Sequence, residues 1–169
     1  LAFWGFDAVK VDFCGGRAAG LDPATQYAKF RDALLNNSSQ RQVLVNIDNP
    51  FSPHNGNPPL QQSAYWSYTF GPSAGNSWRT ETDVGFLKRP KAFQWSDMLR
   101  NLLSDAAHPE AAGPGHWNDP DYLGPENGMS ATEDQTQFTM WAMLAAPLMI
   151  GSDVRKLSDA TVAMLTNPE

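Results

Sequence analysis

The chain has 169 residues, a net charge of −6 and a single cysteine, Cys14, which is the profile of one ordinary globular domain. The acidic balance argues against nucleic-acid and membrane-surface partners, and no apolar run approaches the roughly 18 residues of a membrane span. One cysteine excludes a disulfide within the chain, and the first four residues lack the length and basic flank of a signal peptide.

Strand and helix patterns alternate along the first third of the chain. Residues 9–13 alternate apolar and polar side chains, which predicts a strand, and the glycines at 15–16 end it. Asp22 is a predicted N-cap, and Pro23 opens the helix that follows. Residues 43–47 predict a second, buried strand that ends at Asp48-Asn49-Pro50.

The middle of the chain begins with a predicted loop over residues 51–74, rich in Pro, Ser, Gly and aromatic residues. A loop of that length is usually functional or disordered, and its aromatic residues favour a function. Residues 77–80 predict a short strand. Residues 92–106 predict a helix whose apolar positions recur at helical spacing, namely Trp95, Leu99 and Leu102.

The last third contains two more predicted strands, at residues 116–118 and 148–151. Between them, Ser130 and Glu133 have the spacing of a capping box. Ser158 is the predicted cap of a final helix. The helix that starts at Ser130 is expected to stop before Pro147, with one apolar stripe made of Phe138, Trp141, Ala142 and Ala145.

Five predicted β units with helices between most of them indicate a parallel sheet covered by helices. The expected fold class is therefore α/β. A complete barrel needs eight strands, so about three would be missing upstream, and residues 1–169 are expected to form one partial barrel domain of a longer protein.

Two carboxylates are the candidates for catalysis. Asp12 lies at the C-terminal tip of the first strand, where barrel enzymes place their active-site residues, and Lys10 lies on the same face. Asp83 follows the third predicted strand, four residues after Arg79. A retaining glycosidase needs an ionised nucleophile and a protonated acid, and Lys10 is expected to keep Asp12 ionised.

Asp83 needs a drier setting or a nearby anion, such as Glu81, to stay protonated. Structural alternatives are an ion pair between Lys10 and Asp12, and an N-cap role for Asp83. Asp119 and Asp121 could bind sugar hydroxyls, ligate a cation with His116 nearby, or be turn residues. No spacing matches a zinc or calcium-loop pattern, so no metal site is predicted.

Four ordered blocks of the sequence resemble glycoside hydrolase family 27, the melibiase-type α-galactosidases. The blocks cover nearly the whole chain outside the 51–74 loop. They are Val9-Lys10-Val11-Asp12-Phe13-Cys14, Trp78-Arg79-Thr80 through Asp83, Trp117-Asn118-Asp119-Pro120-Asp121, and Trp141 through Arg155.

The resemblance implies a (β/α)8 TIM barrel, of which this chain holds strands four to eight. It also implies a retaining, exo-acting α-galactosidase that acts on a carbohydrate, needs no cofactor or metal, and is secreted. It implies that Asp12 is the nucleophile and Asp83 the acid/base, and that Lys10 and Arg79 bind sugar hydroxyls. Asp121 and Tyr122 are implied to line the pocket. Cys14 matches a cysteine of the site that usually pairs with one on the preceding unit.

One departure from the family pattern concerns the second strand. Where the family usually has a Glu that reads the sugar 2-hydroxyl, this chain has Asp48, one methylene shorter, and Phe51 is expected to form a different wall. This departure is compatible with β-L-arabinopyranosides or isomaltose-type dextran as substrates. A non-catalytic carbohydrate-binding barrel is the alternative from another functional class.

Overall fold

The computed structural model describes residues 2–49, 66–85 and 93–168. Within them, four parallel strands form one sheet in chain order. The crossovers between successive strands contain helices, as in the wall of an α/β barrel. The strands are β1 (Ala8–Asp12), β2 (Leu44–Asp48), β3 (Ser77–Arg79) and β4 (Trp117–Asp119).

Five α-helices accompany the sheet in the described parts of the chain, and the caps predicted for three of them are confirmed. The Asp22 carboxylate accepts a hydrogen bond from the Thr25 amide, Ser130 and Glu133 form the capping box, and Ser158 caps the last helix. None of these helices has the length and apolar character that a bilayer crossing needs. They are α1 (Pro23–Leu35), α2 (Ser67–Ala74), α3 (Trp95–Ala106), α4 (Ala131–Met143) and α5 (Asp159–Leu165).

Three predicted boundaries are corrected. The 51–74 loop prediction is wrong for residues 67–74, which form α2, and its residues 51–65 lie outside the described chain. The helix predicted over 92–106 begins at Trp95. The strand predicted over 148–151 is reduced to an isolated parallel bridge between Ile150 and Leu123, beyond the end of β4.

The strand register decides which side chains face the helices. Val11, Ile47 and Trp78 lie on the outer face and are buried, because the apolar half of each strand packs against α1 and α2. Trp78 is fully buried, and Gly71 in α2 permits its close packing, since a Cβ at that position would overlap the indole ring. The alternate positions of each strand point to the opposite, inward face, which carries mostly polar residues.

A second apolar cluster joins α3 and α4 to the loops after β3 and β4. Two predicted helix faces are corrected here. In α3, Trp95 and Leu99 are 38% and 36% exposed, and the buried positions are mostly polar. In α4, Ala142 is exposed and Ala145 lies beyond the helix with a φ of 53°. The cluster consists of Val84, Phe93, Met98, Leu102, Leu123, Trp141 and Ala146.

Candidate active site

The C-terminal ends of the four strands bring the candidate residues to one edge of the sheet. Asp12 on β1 is the direct neighbour of Asp48 on β2, and Arg79 on β3 is the direct neighbour of Asp119 on β4. In parallel α/β barrels this edge carries the active site. The residues predicted from separate segments of the sequence are therefore brought together by strand pairing.

Arg79 is the centre of this edge. Its side chain is only 2% exposed, and its Nη2 atom lies 2.8 Å from Asp121 Oδ2 and 3.3 Å from Asp83 Oδ1. Its Nη1 atom lies 4.0 Å from Asp48 Oδ1. Burial disfavours the charged guanidinium, but the surrounding carboxylates, Asp121 first, outweigh burial and raise the pKa of Arg79.

Asp121 is held in an unusual backbone conformation by its own contacts. Its φ is 84°, a region that residues with a Cβ rarely occupy. The Asp119 carboxylate accepts the Asp121 amide hydrogen, while Asp121 itself accepts hydrogen bonds from the amides of Val84 and Tyr122, each at 2.8 Å. Burial raises the pKa of the Asp121 carboxyl to about 6, although Arg79 acts in the opposite direction.

Lys10 pairs with Asp48, not with Asp12 as the sequence suggested. Its ammonium donates to Asp48 Oδ2, and the backbone carbonyl of Asp48 accepts a hydrogen bond of 2.8 Å from the Tyr27 hydroxyl. Asp48 therefore lies between Lys10 on one side and Arg79 on the other. The two cations expected to bind sugar hydroxyls are joined through one carboxylate.

Asp12 is exposed on the inward face of β1, and its Oδ1 accepts a hydrogen bond of 2.6 Å from the Phe13 amide. Two residues further on, Cys14 has a free, exposed thiol. The inward face thus presents the Asp12 carboxylate to solvent with its position fixed by the adjacent peptide.

Asp83 lies in the loop after β3 and is not a helix cap, because the N-cap of α3 is Gln94. Its side chain is 61% exposed, so the dry setting expected for an acid is not provided by the described residues. Glu81, in contrast, is 2% exposed, and its Oε1 accepts the Thr82 amide hydrogen at 2.8 Å. Asp83 forms an ion pair with Arg79.

Tyr122 is half-buried beside Asp121, with its ring edge-on to Phe93 at a centroid distance of 5.4 Å. A Cβ at position 151 would overlap the Tyr122 ring, so Gly151 is required for this close approach. Burial raises the pKa of the Tyr122 hydroxyl. Phe51, the remaining predicted pocket residue, lies outside the described residues.

The inward face of the sheet lines an open cavity of about 690 Å³. Its lining includes Lys10, Arg79, Asp121 and Tyr122 among many apolar residues, but Asp12, Asp48 and Asp83 are not part of it. Over residues 2–49, 66–85 and 93–168, no group of three His, Cys, Asp or Glu side chains is placed to hold a metal ion.

Two residues of α3 were missed by the sequence reasoning. Asn101 is fully buried and its amide donates to the carbonyls of Thr82 and Pro120. Asp105 accepts a hydrogen bond from the Thr80 hydroxyl, and burial raises its pKa to about 7. The available signal was polar residues four positions apart, at 97, 101 and 105, inside a predicted helix.

Comparison with known proteins yields a match over the entire chain. The family model described as alpha galactosidase A (Melibiase_2) matches residues 1–169. Alpha-galactosidase A of Cellvibrio japonicus is 36% identical over 99% of this chain. This chain spans 39% of the length of that relative.

Solved structures give the same fold. Alpha-galactosidase I of Mortierella vinacea superposes with a TM-score of 0.70 at 25% identity, over 98% of this chain and 43% of its own. A structure described as a GH27 β-L-arabinopyranosidase from Geobacillus stearothermophilus superposes with a TM-score of 0.73 at 24% identity, over 98% of this chain and 37% of its own. The α/β-barrel fold class predicted from the sequence is confirmed.

Proposed function

Because the chain belongs to the alpha galactosidase A family of glycoside hydrolases, we propose that it supplies the two catalytic carboxylates of a retaining, exo-acting α-galactosidase. The substrate is a terminal α-D-galactoside. One observation carries this proposal: Asp12, Asp48, Arg79 and Asp83 form a continuous polar row along the active-site edge of the sheet.

In the proposed mechanism, the Asp12 carboxylate attacks the anomeric carbon from the face opposite the leaving group. Asp83 transfers its proton to the departing glycosidic oxygen, so a covalent β-glycosyl ester and a free alcohol are formed. Asp83, now ionised, then removes a proton from water. The water oxygen replaces Asp12 at the anomeric carbon, and galactose leaves with its α-configuration retained.

Arg79 supports this cycle by holding the acid/base carboxyl. Its guanidinium lies 3.3 Å from Asp83 and is itself fixed by Asp121 at 2.8 Å. Lys10 and Asp48 are then placed to bind ring hydroxyls beside Asp12.

A β-L-arabinopyranoside is the second candidate substrate, because Asp48 replaces the longer Glu expected at its position and its carboxylate is already engaged by Lys10. Isomaltose-type dextran remains a third candidate on the same ground. A non-catalytic carbohydrate-binding barrel is the alternative from another class, and the presence of both Asp12 and Asp83 argues against it. Secretion is proposed from the family resemblance alone.

The test is an assay of the full-length protein on p-nitrophenyl α-D-galactopyranoside, β-L-arabinopyranoside and α-D-glucopyranoside, with the first-formed product anomer followed by NMR. We expect the highest kcat/KM on the galactoside and α-galactose as the first product. A higher value on another sugar would reassign the substrate. The β-anomer as first product would exclude retention, and no turnover on any substrate would favour the binding barrel.

A further inference from the structure

Helix α3 presents a buried stripe of polar side chains toward the loop that carries Asp83. Such a stripe is unusual, since a helix normally buries its apolar face. Three backbone carbonyls of the loop, at Thr80, Thr82 and Asp83, accept hydrogen bonds from α3 side chains. The stripe is made of Asp97, Asn101, Ser104 and Asp105, none of them more than 6% exposed.

Asn101 is the residue of this stripe that contacts two loops at once. Its side-chain amide nitrogen donates to the Thr82 carbonyl at 2.7 Å and to the Pro120 carbonyl at 3.0 Å. Thr82 directly precedes Asp83, and Pro120 directly precedes Asp121. Each of the two amide hydrogens is donated to a carbonyl of a different loop, so this single NH2 group fixes the spacing between the two loops.

Arg100 fixes the orientation of that amide. Its Nε and Nη2 atoms donate to Asn101 Oδ1 at 3.1 and 3.0 Å, and Nη2 also donates to the Asp83 carbonyl at 3.0 Å. Its Nη1 pairs with Asp97 at 2.8 Å. The Asp83 backbone is thereby held directly by Arg100 and indirectly by Asn101.

The position of the Asp83 carboxyl depends on this backbone support. The side chain is 61% exposed, and its hydrogen bond from Arg79 is long, at 3.3 Å. Val84, the next residue, is tied to Asp121 through its amide. Shifting the Thr82–Asp83 peptides relative to Pro120 would therefore change the distance from Asp83 to Arg79.

We propose that Asn101, oriented by Arg100, is a positioning residue that sets the location of Asp83 relative to Arg79 and the substrate. The inference rests on the proposed function, in which Asp83 is the acid/base. Proton transfer to a leaving group is sensitive to misplacement, so loss of this support should slow poor leaving groups more than good ones. A purely structural role would slow all substrates alike.

The experiment compares N101D and R100K with D83A in the full-length protein, using aryl α-galactosides of graded leaving-group acidity. N101D keeps the shape of the side chain and its contact with Arg100, but replaces the donor to both carbonyls with an oxygen. We expect kcat/KM to fall roughly 100-fold for the poorest leaving group and less than about tenfold for the best. R100K keeps the charge beside Asp97, and we expect the same trend, about tenfold.

The matched control is N118D. Asn118 on β4 is also buried, but it accepts from the Trp78 indole and donates to the His108 carbonyl, so it bonds to neither the Thr82 nor the Pro120 carbonyl. We expect N118D to lower the melting temperature without any leaving-group dependence. Should N101D fail to fold, R100K decides the question.

The outcomes separate the inference from the proposed function. Equal losses on all substrates for N101D and R100K, with a graded loss for D83A, would overturn the positioning role and leave the proposed function intact. An ungraded loss for D83A would remove Asp83 from the acid/base role, and the positioning role of Asn101 with it.

Discussion

Arg79 and Asp121 form a buried ion pair that joins the end of β3 to the loop after β4, with Nη2 and Oδ2 2.8 Å apart and both side chains at most 4% exposed. The two residues lie 42 positions apart in the sequence, and the parallel pairing of β3 with β4 brings them together. The same guanidinium contacts Asp83 and Asp48. It is therefore the point at which the proposed acid/base, sugar-binding and pocket residues are connected.

Replacing Arg79 with Met should destabilise the full-length protein by about 3–5 kcal/mol, because Asp121 is left as a buried charge without its cation. Adding D121N removes that charge, so the double variant R79M/D121N should recover part of the lost stability in urea unfolding. Activity should stay absent in both variants. A double variant no more stable than R79M would show that the pair is not coupled.

Replacing Lys10 with Met should separate function from stability. The Lys10 side chain is 53% exposed, so its ion pair with Asp48 contributes at most about 1 kcal/mol to folding. We expect kcat/KM on the galactoside to fall at least about tenfold, with an almost unchanged melting temperature. The control is R41M, which removes the similarly exposed partner of Asp7, just before β1. A normal kcat/KM for K10M would exclude Lys10 from substrate binding.

The raised pKa of Asp105 predicts that the stability of the protein depends on pH. Its pKa, normally near 3.8, is raised to about 7 mainly by burial, with Asp119 adding to the effect and the Thr80 hydroxyl opposing it. A raised pKa means that the folded state prefers protonated Asp105. The stabilisation that this preference gives is fully present below pH 3.8 and is lost as pH rises through 7.

The neutral variant D105N should match the parent protein near pH 4 and become more stable than it above pH 7, by at most about 4 kcal/mol. Denaturant unfolding across this pH range measures the difference. In a T80V background, the pH range over which this stability difference develops should move higher, since T80V removes the hydrogen bond that lowers the pKa of Asp105. A constant difference between D105N and the parent protein would contradict the assignment.

Replacing Asp83 with Ala should affect substrates according to their leaving groups. An activated phenol needs little protonation, so its glycosylation step should survive far better than that of a natural linkage. The covalent intermediate should then accumulate, because base assistance to water is also lost, and mass spectrometry of the intact protein would detect it. Equal losses without a trapped intermediate would leave the buried Glu81 as the next candidate.

Much of the fold could be predicted from the sequence because local patterns determine it. Three such patterns each span only a few neighbouring residues, and the structure confirms all three. They are the alternation at residues 9–13, the helix start at Asp22-Pro23 and the capping box of Ser130 and Glu133. The segment 148–151 was misassigned because a short apolar run is compatible with a strand, while its actual pairing is one bridge to Leu123.

The candidate site was less predictable because its contacts are tertiary. The sequence placed Lys10 beside Asp12, on the same face of β1, but could not show that the adjacent strand offers Asp48 as the partner. In α3, the apolar spacing of Trp95 and Leu99 predicted a buried face, but both side chains are partly exposed. The polar residues at 97, 101 and 105 are buried because the neighbouring loop supplies their hydrogen-bond partners.

Chemical rescue of a nucleophile variant tests the central claim, that Asp12 forms a covalent intermediate in a retaining α-galactosidase. In the full-length protein, D12G removes the attacking oxygen, so turnover should fall by several orders of magnitude on every substrate. Azide can occupy the vacated space and attack the same face of the sugar. On an activated aryl α-galactoside, the account predicts restored turnover and β-galactosyl azide, opposite in configuration to the substrate. An α-configured azide product, or a D12G variant as active as the parent protein, would contradict it.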